Sequence, residues 1–122
     1  AAIADSANMA LLLSFEGAVP GPFGGDSDDV FAEMLGALDA GEVDAVVDDD
    51  VVFVPLDDDP RYEQAFTVKT GNRWGIGVAK DRPELLAEID SALAAVIANG
   101  QLAQVWHTWL PSLEFPLGDN HP

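Results

Sequence analysis

Short apolar runs typical of strands alternate along this chain with longer runs that have helical periodicity. Residues 1–4 form one apolar run before a helical pattern that starts at Ala7, and residues 43–47 form another after a second helical pattern. Such alternation is typical of α/β layering, in which helices connect parallel strands and pack on the sheet. We therefore predict an α/β fold with a mostly parallel sheet flanked by helices, whose ligands would meet the carboxyl ends of the strands.

Four helices are predicted from apolar residues at three- and four-residue spacing. Their expected ends are marked by Asp5 or Ser6 before the first, Ser27, Asp28 and Gly41 around the second, Asp81 and Gly100 around the third, and Leu102 and Pro111 around the fourth. The third helix carries a stripe that we expect to be buried, made of Leu85, Ile89, Leu93, Val96 and Ile97.

The remaining segments are predicted to be a loop and a hairpin. Residues 17–25 contain four Gly and two Pro, which favours a loop. Residues 65–70 and 74–79 are two strand-like runs on either side of Gly71-Asn72, a turn dipeptide typical of hairpins. We expect the three tryptophans to anchor the core: Trp74, Trp106 and Trp109.

Acidic residues dominate the charge, with 22 Asp and Glu against 5 Lys and Arg and a net charge of −17. Such a surface repels phosphate backbones and anionic lipids, so no nucleic-acid partner is predicted. The triplets at residues 48–50 and 57–59 lack the spacing of a calcium loop and are interpreted as a solvated surface. Arg61 and Arg73 are expected to pair with local carboxylates. Screening would relieve the self-repulsion, which favours a salty habitat.

The sequence offers little for catalysis or for metal binding. It has no Cys, and the separation of His107 from His121 does not indicate a metal pair. No nucleophile motif is present, so we predict a protein that is not an enzyme and needs no cofactor. No apolar run approaches the ~20 residues that span a bilayer, and residues 1–15 do not resemble a signal peptide. If the protein is exported, its targeting segment is expected to have been removed.

Four segments, in order, resemble the second lobe and return segment of type 2 periplasmic solute-binding proteins, the receptors of polar amino-acid ABC importers. They are residues 2–8 (AIADSAN), 38–49 (LDAGEVDAVVDD), 74–85 (WGIGVAKDRPEL) and 98–109, which begins with ANGQL. The resemblance covers residues 1 to about 110 and includes no counterpart of the first lobe. It implies a second-lobe core with ligand-facing loops at residues 1–70, and a return strand with C-terminal helices at 71–122.

The resemblance also implies a ligand site. Family members hold an amino acid between two lobes, with a backbone amide at a strand-to-helix turn on the ligand carboxylate and an acidic side chain on its ammonium group. Carried over to this chain, the amide role falls on Ser6 and Ala7, and the acidic role falls on Asp49. Asn8 is expected to add a side-chain hydrogen bond, whereas Asp48 and Asp50 are expected to be solvent residues. Where many members have Gly, this chain has Asp5, whose charge would weaken carboxylate binding.

The function implied is extracytoplasmic capture of a polar amino acid or a similar small zwitterion, in the periplasm or at the cell surface. The implied partner is the membrane permease of an ABC importer, and a lipid anchor on the full-length protein would fit this location. An alternative stays open: an interaction or sensing domain of the same fold that binds no solute. In that case it would associate with a receptor or with a second copy, and a homodimer would cover the surface left by the first lobe.

Overall fold

The computed structural model describes residues 1–118 and divides the chain into two compact units. The first unit is Ala1–Phe53, and the second begins at Val54. The structure mixes helices with a small parallel sheet, which agrees with the α/β class predicted from the sequence. The division at residues 70 and 71, which rests on the resemblance, stays a prediction.

The first unit is a β-α-β-α arrangement. Strand β1 (Ala2–Ile3) leads into helix α1 (Ala7–Leu13), and strand β2 (Pro22–Phe23) leads into helix α2 (Val30–Asp39). The strands pair in parallel, with Ala2 opposite Pro22. Strand β2 lies where a loop was predicted, because Gly21 and Phe23 offer carbonyl groups that accept hydrogen bonds from the amides of Ala2 and Ala4.

Residues 43–47 lie along the edge of β1 that faces away from β2. The Ala1 amino group donates to the Ala45 carbonyl, and the Val47 N–H donates to the Ala1 carbonyl over 2.8 Å, a parallel pairing pattern. The predicted strand is nevertheless not a regular strand. The pairing does not continue past Ala1: the Ile3 carbonyl accepts from Ser6, and the Asp49 N–H donates to the Asp48 carboxylate.

The core of the first unit lies between these elements. Ala2, Met9 and Leu12 are buried together, and Val47 packs against them. On α2, Met34 is fully buried and Ala37 nearly so, and the helix contacts β2. The N-cap of α2 was predicted at Ser27 or Asp28, and this prediction is wrong. The N-cap is Asp29, whose carboxylate accepts from the Ala32 amide.

The second unit holds two α-helices that contact each other, α3 (Pro83–Ala98) and α4 (Gln101–Trp109). The first unit ends with a short 3-10 helix, Asp50–Val52, and the second unit begins with another, Val54–Leu56. Asp81 does not cap α3, contrary to the prediction, because the N-cap position is held by Arg82 without a side-chain hydrogen bond. Pro83 stands at the first position of the helix, where its missing N–H has no consequence.

The predicted hairpin at residues 65–70 and 74–79 is wrong. Residues 62–79 contain no strand and no helix, and nearly all of their side chains are exposed. A two-stranded hairpin is marginal in water unless another layer covers one of its faces. The described residues of the second unit supply no such layer.

The predicted buried stripe of α3 is also wrong, because no residue of α3 or α4 is buried. Trp74 and Trp109 are 65% and 75% exposed and therefore do not anchor a core. Only Trp106 acts in part as expected: its indole N–H donates to the Leu113 carbonyl over 3.1 Å, and its ring packs edge-to-face on buried Phe115. Two helices and an extended segment lack the second layer needed to bury the stripe.

Within the described residues, no single helix is both long and apolar enough to cross a membrane. Helices α3 and α4 reach that length and apolar composition only when taken together, and they are bent by 79° at the break between them.

Candidate functional site

The start of α1 and the first acidic triplet meet at the carboxyl end of β1. The Asn8 side-chain amide donates to a carboxylate oxygen of Asp48 over 2.9 Å. Asn8 is placed there by the start of α1, and Asp48 by the Val47 hydrogen bond to Ala1. We call Ser6, Ala7, Asn8, Asp48 and Asp49 the strand-end cluster.

Ser6 fixes the start of the helix and is fully engaged in doing so. Its hydroxyl accepts from the Met9 N–H over 3.1 Å and donates to the Ile3 carbonyl over 2.6 Å. Its own N–H donates to the same carbonyl over 3.3 Å. Of the two amides that the resemblance implies, the Ser6 amide is therefore already used within the chain.

Ala7 presents the amide that remains. It is the first residue of α1, where an N–H has no partner within the helix, and it is exposed. Within residues 1–118 this N–H makes no hydrogen bond. Ala7 is thus a donor of the strand-end cluster that an added group could reach.

Asp48 anchors the acidic triplet, and the prediction that it is a solvent residue is wrong. Its carboxylate is half-buried and accepts from Asn8 and from the Asp49 N–H, the latter over 2.8 Å. Burial raises the pKa of the Asp48 carboxyl, and the neighbouring Asp49 charge acts in the same direction. The two hydrogen bonds oppose this rise because they stabilise the ionised form. Three consecutive Asp residues gave no sequence signal for which one would turn inward.

Asp49 is the open carboxylate of the cluster. It is exposed, and its side chain makes no hydrogen bond with any described residue. It also occupies the N-cap position of the 3-10 helix Asp50–Val52 without capping it through the side chain. Asp48 is therefore committed to holding the turn, whereas the Asp49 carboxylate is free to meet a cation.

Asp5 determines how the chain turns from β1 into α1. Its φ of 58° lies in the left-handed region, and it is the only residue other than glycine described with a positive φ. Glycine adopts this conformation at no steric cost, and Asp tolerates it better than most residues. Asp5 therefore stands at a position where the backbone conformation favours glycine, the residue that many members of the resembled family have there.

Other candidate residues lie outside the cluster. Arg61 forms an ion pair with Asp59 over 2.7 Å and lowers the pKa of that carboxyl, as expected, whereas Arg73 has no carboxylate partner among residues 1–118. His107 packs near Phe115, and His121 lies outside the described residues. No group of three His, Asp or Glu side chains within residues 1–118 could hold a metal ion.

The strand-end cluster thus combines an available N–H at Ala7 with an open carboxylate at Asp49, each next in sequence to one member of the bonded pair Asn8 and Asp48. Comparison with family models, with curated proteins and with solved structures gives no match to this chain.

Proposed function

We propose that this chain is a solute-binding lobe that captures a polar amino acid or a similar small zwitterion outside the cytoplasm, for the permease of an ABC importer. The observation that carries the proposal is the 2.9 Å hydrogen bond between Asn8 and Asp48. It brings the strand-to-helix turn and the acidic triplet to the same end of a parallel sheet, where ligands of such sheets bind.

The chemistry of the two open groups matches a zwitterion. The Ala7 amide can donate to a ligand carboxylate, and the Asp49 carboxylate can accept from an ammonium group in a charge-assisted hydrogen bond. Asn8 and Asp48 would hold these groups in place by bonding to each other. A ligand with only one of the two charges would bind to only one of these two groups.

The finer fold that we propose is the second lobe of a type 2 periplasmic solute-binding protein. The β-α-β order at β1, α1 and β2 and the extended edge at residues 43–47 support it. In such a protein the other lobe closes over the ligand and excludes water, which strengthens every charged contact. One lobe alone leaves the ligand exposed, so its affinity is expected to be no tighter than about millimolar.

Calorimetric titration of a panel of amino acids tests this proposal. We expect no measurable heat at micromolar ligand with this chain alone, and saturable binding when a first lobe of the resembled family is supplied. In the completed protein, Asp49→Ala is expected to cost about 2 to 5 kcal/mol of affinity, because the ligand ammonium loses its buried partner.

Asp58→Ala is the matched control, since it removes the same charge from the second acidic triplet, outside the cluster. It should leave affinity unchanged. Absence of binding by the completed protein to every amino acid would contradict the proposal, and equal losses for the two variants would reject the role of Asp49.

A second candidate function is self-association or receptor binding without a solute, and the surface of the second unit favours it. Large apolar side chains are exposed on both helices of this unit, among them Leu86, Leu93, Val105 and Trp109. Exposed apolar surfaces of this kind are commonly covered by a partner. Sedimentation of the chain at several concentrations tests this candidate, and a strict monomer at all of them would contradict it.

A further inference from the structure

The basic residues of this chain are confined to one segment. All five stand within residues 61–82, where only Glu63 and Asp81 are acidic, and the rest of the sequence has no Lys or Arg. We call residues 61–82 the basic segment. A positively charged segment in a chain of net charge −17 indicates a contact with an acidic surface.

Four of these cations are not neutralised within the described chain. Arg61 pairs with Asp59, but Lys69, Arg73, Lys80 and Arg82 are exposed and have no ion-pair partner among residues 1–118. With 22 carboxylates available in the same chain, local pairing would have been easy to achieve. These four charges are therefore available to a partner.

The backbone in the middle of the basic segment is also available. Within residues 1–118, the one hydrogen bond made by a backbone group of residues 67–78 joins the Asn72 N–H to the Thr70 hydroxyl. Apolar and polar residues alternate over residues 66–69, as in a strand with two different faces. Phe66 and Trp74 are 68% and 65% exposed. This part of the basic segment thus has the pattern of a strand but is paired with no strand of the described chain.

A complementary edge exists on the first unit of the same chain. Along residues 42–47 the Ala45 and Val47 backbone groups bond to Ala1, whereas the N–H and C=O of Val46 make no hydrogen bond among the described residues. Glu42 and Asp44 are exposed beside it. We call residues 42–47 the acidic edge. An edge with unpaired backbone groups is a template for strand addition.

We propose that the basic segment of one copy adds as a strand to the acidic edge of a second copy. Backbone hydrogen bonds would supply affinity, and Lys69 and Arg73, which lie on either side of the turn at Gly71, would be placed near Glu42 and Asp44. The Debye length is about 8 Å at physiological salt, so the repulsion between two acidic chains is screened while ion pairs in contact persist. The proposal rests on the self-association named in the second candidate function. It identifies the partner as a second copy and adds a contact surface other than the exposed helices α3 and α4.

Sedimentation equilibrium of the full chain at physiological salt tests the proposal with charge-reversed variants. Wild type is expected to self-associate. Two double variants should each weaken association about tenfold or more. One is Lys69→Glu with Arg73→Glu, and the other is Glu42→Lys with Asp44→Lys. Mixing these two variants should restore association, because the reversed charges complement each other.

Asp57→Lys with Asp58→Lys is the control, since it makes the same change in net charge away from the acidic edge and should not weaken association. Circular dichroism checks that each variant keeps its helices. A monomeric wild type would overturn both the second candidate function and this proposal. Association that is insensitive to both edge variants, or that is not restored by mixing them, would overturn this proposal alone.

Discussion

Asp5 occupies a left-handed turn that glycine would occupy more easily, with φ of 58°. We expect Asp5→Gly to be at least as stable as wild type, and Asp5→Ala to be less stable than Asp5→Gly by about 1 kcal/mol. Both variants remove the same charge, so their difference isolates the cost of a Cβ atom. Urea denaturation measures it, and equal stability of the two variants would show that the turn is not constrained in this way.

Asp48 has a carboxyl whose pKa is raised by burial and held down in part by the Asn8 hydrogen bond. Asn8→Ala removes that bond, so the pKa of Asp48 is expected to rise further. Carbon-13 NMR titration of the carboxyl groups measures the change. Asp59 serves as an internal control because its partner is Arg61. A fall in the pKa of Asp48, or an equal change at Asp59, would contradict the assignment.

The raised pKa of Asp48 also fixes the sign of a pH effect. A carboxyl that binds its proton more tightly in the folded state contributes stability below its unfolded pKa, and this contribution is lost as pH rises through the folded pKa. Asp48→Asn should therefore gain stability relative to wild type as pH rises from below 3.8, the ordinary value, towards neutrality. The half-exposed position keeps this gain small.

Helix α1 depends on its N-cap. Ser6→Ala removes the acceptor for the Met9 N–H and is expected to cost about 1 kcal/mol of unfolding free energy. Ser14→Ala at the other end of the same helix removes a hydroxyl that only donates to the Leu11 carbonyl at an exposed position, so it should cost less. Chemical denaturation of both variants provides the comparison, and a greater loss for Ser14→Ala would contradict this view of the helix.

The helices of the two units differ in how far they are buried. Met34 on α2 is fully buried, so Met34→Ala is expected to cost about 2 to 5 kcal/mol through lost burial and a residual cavity. Leu93 on α3 is 37% exposed, and Leu93→Ala should cost clearly less. Thermal or urea unfolding monitored at both units tests this difference. Similar losses for the two variants would mean that a partner already covers α3.

Elements with their own start and stop signals could be predicted from the sequence. The periodicity and N-cap of α1, the Pro83 start and Gly100 end of the α3 pattern, and the shorter helix α4 are all found near their predicted positions. These signals are local, because they depend on backbone groups within a few residues. Burial could not be predicted in the same way. The stripe of α3 and the run at residues 74–79 have patterns that fit a covered layer, and the described structure of the second unit contains none.

In the strand-end cluster, too, local features could be predicted from the sequence and long-range contacts could not. That Ser6 starts the helix could be deduced from its residue type alone. Which carboxylate of the triplet turns inward could not, because it depends on the register of residues 43–47 against Ala1, a contact between distant parts of the sequence. The prediction placed the ligand role on Asp49 and left Asp48 in solvent, whereas Asp48 is the residue that Asn8 holds.

At the scale of the whole molecule, charge is divided between the parts of the chain. The basic segment carries every Lys and Arg, and the strand-end cluster belongs to a first unit that has none. Because the first unit has no Lys or Arg, it offers the Asp49 carboxylate no cationic side chain as an internal partner. The same composition makes an ammonium group the natural ligand for that carboxylate, since opposite charge favours binding.

The most direct test is an amide chemical-shift titration of the isotope-labelled chain with a polar amino acid at millimolar concentrations. We expect saturable shifts confined to Ala7, Asn8 and residues 48–50. These shifts should be absent with a carboxylate that lacks an ammonium group, and lost in Asn8→Ala. No shift at these amides, or shifts that a carboxylate without an ammonium group produces equally well, would contradict the claim that the strand-end cluster recognises a zwitterion.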